Sequence, residues 1–271
     1  MKKYEMFKEN EADKLYRIRA LRDFGDVKQG DVGGYIEKEE NLSHEGDCWV
    51  YEWAEISKHA KVYGDAKVYD TAYVTDRAKV YGDAEVYGNA KVCGNAEVHW
   101  NAKVYGAAKV YDEAEVYGWA EVYGWAEVYD KAEVYWTAKV CGNAKVYGCA
   151  KVHGICWVYD EAKVHGNAEV YENAKVYGEA EVYWNAKVHW NAKVCGYTEV
   201  CGNAKVRGNA LVHGEAEVRG NAEVCGNAEV CGDALVRGNA KVYGRAKVCG
   251  NAEVCGNAKV CGDNEVCGDI K

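Results

Sequence analysis

The sequence contains no proline, only two phenylalanines and two methionines, and no long apolar run. Because proline has no backbone N–H to donate to a neighbouring strand, its absence fits a chain whose strands are nearly all paired. No segment approaches the roughly 18 consecutive apolar residues of a membrane-spanning helix. Residues 1–10 are too charged for a signal peptide. We therefore predict a soluble protein without a membrane partner.

Negative charge exceeds positive charge, since 43 Asp and Glu residues against 34 Lys and Arg residues give a formal net charge of -9. Non-specific nucleic-acid binding needs a basic surface, so we expect no nucleic-acid partner. The 13 cysteines form an odd number and cannot all pair within one chain. Together with the missing secretion signal, they indicate free thiols in a reducing cytoplasm.

A six-residue repeat fills most of the chain, as in residues 80–98, VYGDAEVYGNAKVCGNAEV. Every sixth position from 50 to 266 is valine, except for Ile56, and no insertion interrupts this register. The position two residues earlier is alanine, with four exceptions: Cys48, Cys156, Thr198 and Asn264. The register alone predicts one structural unit repeated without loops.

Within each repeat, Ala-(Lys/Glu)-Val alternates as a strand with one buried face, and Gly followed by Asn or Asp is typical of a turn. A period of six fits a helix poorly and would place glycine in every second turn. Short identical strands bury their apolar face only by stacking on their neighbours. We therefore predict an all-β solenoid, a parallel β-helix with three hexapeptides per coil and about 12 coils.

The spacing of an aliphatic residue and a small one four positions later, as in Val86-Tyr-Gly-Asn-Ala90, resembles the hexapeptide repeat of left-handed β-helices. Residues 15–43, LYRIRALRDFGDVKQGDVGGYIEKEENLS, leading into such repeats, resemble YdcK-like proteins of bacteria and their phages, in the acyltransferase-like superfamily. The resemblance implies a left-handed helix and a phage-related origin. It implies no established activity.

The two ends of the sequence differ. Residues 1–44 lack the hexamer, and Leu15–Phe24 alternates like a strand, so we interpret this segment as an N-terminal cap on a repeat domain at 45–271. At the other end the repeat continues to Lys271, with Ile270 in an alanine position. Either Asn264 and Lys271 blunt this edge, or the uncapped C-terminal coil pairs with another copy.

Tryptophan recurs on one edge of the predicted coil. The same glycine position of the coil is occupied by Trp100, Trp136 and Trp190. Trp119 lies one residue after the equivalent position of another coil. Four large aromatic side chains on one edge are a candidate interaction surface for another protein or a second copy. The alternative is that the rings lie over a turn that tolerates variation.

The position after each valine carries tyrosine, cysteine, histidine or arginine. With three hexapeptides per coil, five of these positions stack on one another and offer metal-ligand side chains: Cys195, His213, Cys231, Cys249 and Cys267. A straight ladder supplies two neighbouring ligands more easily than four, and no compact Cys-x2-Cys spacing occurs. We expect free thiols that pack, no metal and no cofactor, with metal binding as the weaker alternative.

An active site is hard to find in this pattern. Many left-handed β-helices are trimeric acyltransferases whose catalytic histidine lies in a cleft closed by a loop, and no such insertion follows residue 45. Five histidines occupy the variable position after valine: His99, His153, His165, His189 and His213. We expect a non-catalytic structural or protein-interaction solenoid, self-associating through the C-terminal coil or the tryptophan edge. An acyltransferase-like enzyme is the alternative.

Overall fold

The computed structural model describes residues 2–9 and 14–267. The chain divides into two compact units, Met1–Lys131 and Ala132–Lys271. Apart from one short 3-10 helix, Glu39–Asn41, every regular element in the described part is a β-strand. This confirms the predicted all-β class.

Unit 1 contains 17 strands within its described residues. They are β1 Tyr4–Phe7, β2 Tyr16–Ala20, β3 Val32–Ile36, β4 Trp49–Val50, β5 Glu55–Ile56, β6 Lys61–Val62, β7 Lys67–Val68, β8 Tyr73–Val74, β9 Lys79–Gly82, β10 Glu85–Val86, β11 Lys91–Val92, β12 Glu97–Trp100, β13 Lys103–Val104, β14 Lys109–Val110, β15 Glu115–Val116, β16 Glu121–Val122 and β17 Glu127–Val128. Three sheets run through this unit, in the orders β1-β2-β3-β5-β8-β11-β14-β17, β4-β7-β10-β13-β16 and β6-β9-β12-β15.

Unit 2 repeats this architecture. Its strands are β18 Glu133–Trp136, β19 Lys139–Val140, β20 Lys145–Val146, β21 Lys151–Gly154, β22 Trp157–Val158, β23 Lys163–Val164, β24 Glu169–Val170, β25 Lys175–Gly178, β26 Glu181–Val182, β27 Lys187–Val188, β28 Lys193–Gly196, β29 Glu199–Val200, β30 Lys205–Val206, β31 Leu211–Val212, β32 Glu217–Val218, β33 Glu223–Val224, β34 Glu229–Val230, β35 Leu235–Val236, β36 Lys241–Val242, β37 Lys247–Val248, β38 Glu253–Val254, β39 Lys259–Val260 and β40 Glu265–Val266. Within this unit, each strand pairs with the strands that lie three places before and three places after it in the chain, so three sheets surround one lumen.

The repeat strands of each unit pair in parallel and in a constant register. In unit 2, for example, Val206 pairs with Val224, and the next rung of the same sheet places Val242 beside Val224. The N–H of Arg207 donates to the carbonyl of Val224 at 2.9 Å. Backbone N–H groups in these strands therefore need a partner on a neighbouring coil, which explains why proline is absent.

Residues that occupy the same position on successive coils form what we call a column. Val206, Val224 and Val242 belong to one such column. The predicted parallel β-solenoid is thus confirmed, whereas its handedness and its count of hexapeptides stay predictions.

The lumen of unit 2 holds the repeated valine and alanine side chains. From Ala132 to Val254 they are at most 1% exposed. Cys156 and Thr198, which replace alanine, are also fully buried. The thiol of Cys156 lies 3.4 Å from the carbonyl oxygen of Val170. The buried face predicted from the sequence is thus the observed one.

Strands of a different kind begin unit 1. β1 and β2 pair antiparallel, β2 pairs antiparallel with β3, and β3 then joins the parallel sheet beside β5. The buried Lys3 Nζ donates to the carbonyl of Cys48 at 2.8 Å and ties the segment to the first coil. β2 confirms the strand predicted around Tyr16, while the domain boundary between residues 44 and 45 stays a prediction.

The hydroxyl of Thr198 leads to a stability prediction. Its Oγ1 is buried and has no hydrogen-bond partner among the described residues. Leaving a buried polar group unsatisfied costs about 1–3 kcal/mol. We expect Thr198→Val, which keeps the shape and removes the hydroxyl, to raise the free energy of unfolding by about 1 kcal/mol in guanidinium titrations.

A matched control for this prediction is Thr137→Val. The Thr137 hydroxyl donates to the carbonyl of Gly154 at 2.8 Å, so its loss should not stabilise the protein. A lower free energy of unfolding for Thr198→Val would contradict the interpretation of this hydroxyl as unsatisfied.

Candidate functional site

A groove on one edge of unit 2 is the most distinctive feature of its surface. Its volume is about 490 Å³, within the range of ligand pockets. The groove follows one column, from Trp136 over Gly154 and Glu172 to Trp190. The neighbouring column completes the lining with Thr137, Ile155, Asn173 and Asn191. The constant register between coils therefore aligns the two indoles along the coil axis.

The floor of the groove is backbone because Gly154 has no side chain. Gly154 has a φ of +86°, and a Cβ there would lie 2.6 Å from the backbone nitrogen of Glu172. No larger residue fits this position without moving the chain. The gap between the two tryptophans is thus fixed by the packing of successive coils.

The walls are large apolar side chains that face solvent. Trp136 is 58% exposed, Trp190 is 48% exposed and Ile155 is 64% exposed. Both tryptophans adopt a left-handed backbone with φ near +60°, the conformation that glycine takes elsewhere in this column. Left-handed backbone is unfavourable for a non-glycine residue. Exposed apolar side chains around a cleft are typical of interaction surfaces.

A stack of rings supports the groove from behind. Tyr135, His153, Tyr171 and His189 lie face to face, with successive centroids 4.6, 5.2 and 4.6 Å apart. Trp136 packs edge-on against His153, as Trp190 does against His189. The stack fixes the position at which each indole leaves the coil.

Burial in this stack changes the chemistry of its histidines. Desolvation lowers the pKa values of His153 and His189, because the charged imidazole is disfavoured away from water. Nδ1 of His189 lies 3.9 Å from Oε2 of Glu172, which opposes the desolvation effect. Behind the groove, an imidazole that favours its neutral form therefore lies near the carboxylate of Glu172. His153 and His189 are therefore half-buried stacking residues at the variable position after valine.

The four tryptophans predicted as an edge are all exposed. In unit 1, Trp100 and Trp119 lie on neighbouring rungs, and Trp100 packs edge-on against Tyr117. In unit 2, Trp136 and Trp190 line the groove just described.

Of the eight residues that line the groove, only the two tryptophans were predicted from the sequence, and two of the others differ in type from most of their column. Ile155 and Glu172 line it together with the tryptophans. Ile155 lies one coil after Thr137, and Glu172 lies one coil after Gly154, so the repeat register already placed them in the same two columns. Their types, an exposed aliphatic residue and a carboxylate in a glycine column, were the signal that could have found them.

The ladder of cysteines and histidine also lies in unit 2. Two sets of three side chains there could each hold a metal ion. Within each set, the three potential ligand atoms lie within 4.8 Å of one another. The first set is His213, Glu229 and Cys231, and the second is Cys249, Glu265 and Cys267. Cys195, the remaining candidate, instead hydrogen-bonds with Tyr177 and raises the pKa of that tyrosine to about 12. Neither glutamate was predicted from the sequence, although each lies on the coil that follows a ladder residue.

The charges along this ladder follow from its contacts. A hydrogen bond with His213 lowers the pKa of Glu229, so this carboxyl group is ionised at neutral pH. Burial raises the pKa of the Cys231 thiol, and a hydrogen bond with Cys267 raises that of Cys249 to about 12. Both thiols are therefore protonated in the structure.

The C-terminal coil, predicted either to have a blunted edge or to pair with another copy, lies only partly within the described residues. The backbone oxygen of Asn264 accepts a hydrogen bond from Lys247, and the Asn264 residue is exposed. Ile270 and Lys271 lie outside the described residues. No helix in the described part of the chain is long and apolar enough to cross a membrane. The cytoplasmic location and the lack of a nucleic-acid partner stay predictions.

The buried histidines lead to a prediction about acid stability. The pKa of each histidine is lower in the folded state than in the unfolded state. Its contribution to the free energy of unfolding is therefore complete above about pH 6.5 and is lost as the pH falls towards the folded-state pKa. We expect His153→Tyr, which copies Tyr135 and Tyr171, to reduce the loss of unfolding free energy between about pH 7.5 and pH 5. Guanidinium titrations at both pH values measure this difference.

A double variant, His153→Tyr with His189→Tyr, should flatten the pH dependence further because both pKa values are lowered for the same reason. An acid dependence equal to that of the unaltered chain would contradict the assignment. Glu133, Lys151, Glu169 and Glu172 surround His153 and are unchanged in both variants.

Over a short stretch, the sequence is similar to that of a known protein. No protein-family model matches the sequence. A 38-residue stretch is 47% identical to the "Uncharacterized acetyltransferase YdcK" of Escherichia coli (strain K12). The match covers 14% of this chain and 12% of that protein. With the parallel β-solenoid, this stretch shows that the chain resembles YdcK-like hexapeptide-repeat proteins.

Proposed function

We propose that the chain is a non-catalytic interaction solenoid, and that the groove between Trp136 and Trp190 binds a second copy of the same chain. The observation that carries this proposal is the pair of exposed indoles, together with Ile155, around a floor that has no side chain. Exposed aromatic side chains beside a cleft are the residues that dominate interface energies.

The charge of the edge favours a second copy. The whole chain carries a net charge of -9, so two copies carry a net repulsion for each other. Beside the groove, however, runs a neutral row of asparagines, Asn173, Asn191, Asn209 and Asn227, linked by side-chain hydrogen bonds of 3.0–3.1 Å. The asparagine rows of two copies can meet without opposing like charges, and Glu172 is the charged residue that lines the groove itself.

The arrangement of the walls suits a two-fold contact. In an isologous dimer the same patch is used by both copies, so each groove receives an indole from the other. Four indoles bury on the order of 800 Å². A stable interface buries about 1,200–2,000 Å², so the asparagine rows must add the remainder. We therefore expect reversible association rather than an obligate dimer.

Replacing the groove tryptophans by glycine tests this proposal. Glycine is the usual residue of this column and suits the left-handed backbone, so we expect Trp136→Gly and Trp190→Gly to fold normally. Light scattering behind size exclusion, in reductant over a concentration series, should show a dimer for the unaltered chain. Either variant should weaken dimerisation by about ten-fold or more.

Trp184→Gly is the matched control. Trp184 is 60% exposed and has a φ of +60°, but it belongs to another corner of the coil. It should leave the dimer unchanged. A monomer at all concentrations for the unaltered chain, or equal effects of all three substitutions, would overturn the proposal.

Acyl transfer is a second candidate because one observation favours it. The imidazole of His189, in the stack behind the groove, lies 3.9 Å from the carboxylate of Glu172, which lines the groove, and a neutral imidazole near a carboxylate is a general-base arrangement. The printed name of the YdcK match, an acetyltransferase, points in the same direction. The match covers too little of either protein to carry this activity across by itself.

Acetyl coenzyme A is the probe for this candidate. Isothermal titration calorimetry should show saturable binding to the unaltered chain, weakened about ten-fold by Trp190→Gly and unaffected by Trp184→Gly. His189→Tyr should abolish acetyl transfer while leaving binding largely intact, because the base is lost and the stack is kept. Absence of saturable binding would remove this candidate and leave the dimer proposal untouched.

A further inference from the structure

A diagonal contact recurs along the coils. The residue after a valine reaches a glutamate on the next coil, directly before the valine of that coil. Tyr69 donates to Glu85 at 2.9 Å, and Tyr183 donates to Glu199 at 2.8 Å. The same contact joins Arg207 to Glu223. The constant register and the direction of the side chains favour this pairing wherever a glutamate is present.

Five Glu-Val-Cys triplets occur in the sequence, all after residue 198. In each, the cysteine is placed beside the glutamate, and the diagonal partner of that glutamate lies on the preceding coil. At Glu199, Glu223 and Glu253 this partner is tyrosine or arginine. A protonated tyrosine hydroxyl and a cationic guanidinium group are not metal ligands. At Glu229 and Glu265 it is His213 or Cys249. Only these two triplets therefore combine three side chains of metal-ligand type.

The first set is compact. Nε2 of His213 lies 3.0 Å from Oε1 of Glu229, and the thiol of Cys231 belongs to the same group of ligand atoms, all within 4.8 Å of one another. Tetrahedral zinc, with bonds of about 2.0–2.3 Å, separates its ligand atoms by about 3.3–3.8 Å. Small side-chain movements therefore suffice to close these three atoms around one ion.

The second set lies on the following coils of the same sheet. Sγ of Cys249 is 2.9 Å from Sγ of Cys267 and 3.5 Å from Oε1 of Glu265. Oε1 of Glu265 is also 3.9 Å from Sγ of Cys267. This set supplies two sulfur atoms and one oxygen, where the first supplies one nitrogen, one oxygen and one sulfur.

We infer that the two sets are binding sites for Zn²⁺, each with three protein ligands and a fourth position for water. Nitrogen, sulfur and carboxylate oxygen are the ligands that zinc uses in proteins. Coordination replaces the thiol proton of each cysteine, which is released to solvent, and breaks the hydrogen bond between His213 and Glu229. The sites lie on residues that the groove does not use.

Cobalt substitutes for zinc and reports thiolate ligands by absorption, so Co²⁺ is the probe. The untagged, reduced, full-length chain should bind about two Co²⁺ ions with a sulfur-to-cobalt charge-transfer band, and Zn²⁺ should displace both. His213→Arg recreates the arrangement already present at Arg207, Glu223 and Cys225. This variant should fold and should bind about one ion.

Cys231→Ser should also bind about one ion, whereas Cys267→Ser should lose the other site. Cys225→Ser is the control, because Cys225 follows Glu223 in a triplet whose diagonal partner is Arg207. It should still bind two ions. The inference is overturned if the unaltered chain shows no saturable thiolate band, if His213→Arg keeps the full stoichiometry, or if Cys225→Ser loses an ion.

Discussion

The burial of valine and alanine against the next coil is the constraint on which the rest of the structure depends. The strands of the repeats are very short, so none has stability alone and each gains it from its neighbours on adjacent coils. A slip of one residue would turn the apolar face outward. The register is therefore strongly specified, and every outward position becomes part of a column.

Columns determine how chemistry arises on this surface. Coils with the same residues repeat the same contacts, such as the hydrogen bond between the residue after a valine and a glutamate of the next coil. Such repeated contacts do not distinguish one part of the surface from another. A distinctive site appears where a few rungs differ. Two tryptophans in a glycine column leave a groove over Gly154, and His213 or Cys249 in a tyrosine-rich column converts a routine contact into a ligand set.

The position of Thr198 illustrates how far a prediction from the sequence extends. The alanine rule predicted that this side chain faces the lumen, and it is fully buried there. The replacement of glycine by tryptophan at one corner of the coil suggested a candidate interaction edge, and the indoles of Trp136 and Trp190 are exposed there. It did not predict the contacts of Glu229 and Glu265, because contact with a diagonal neighbour on another coil depends on the direction in which each side chain leaves the strand.

The sequence by itself determined the solenoid, its buried face and the columns that its residues share, because a six-residue period leaves few other ways to bury the repeated valines. Only the tertiary structure decided which members of neighbouring columns touch. The open floor at Gly154 comes from the close approach of two backbones, and the burial of His153 and His189 comes from aromatic stacking across coils. Both depend on distances between coils, which a linear pattern does not contain.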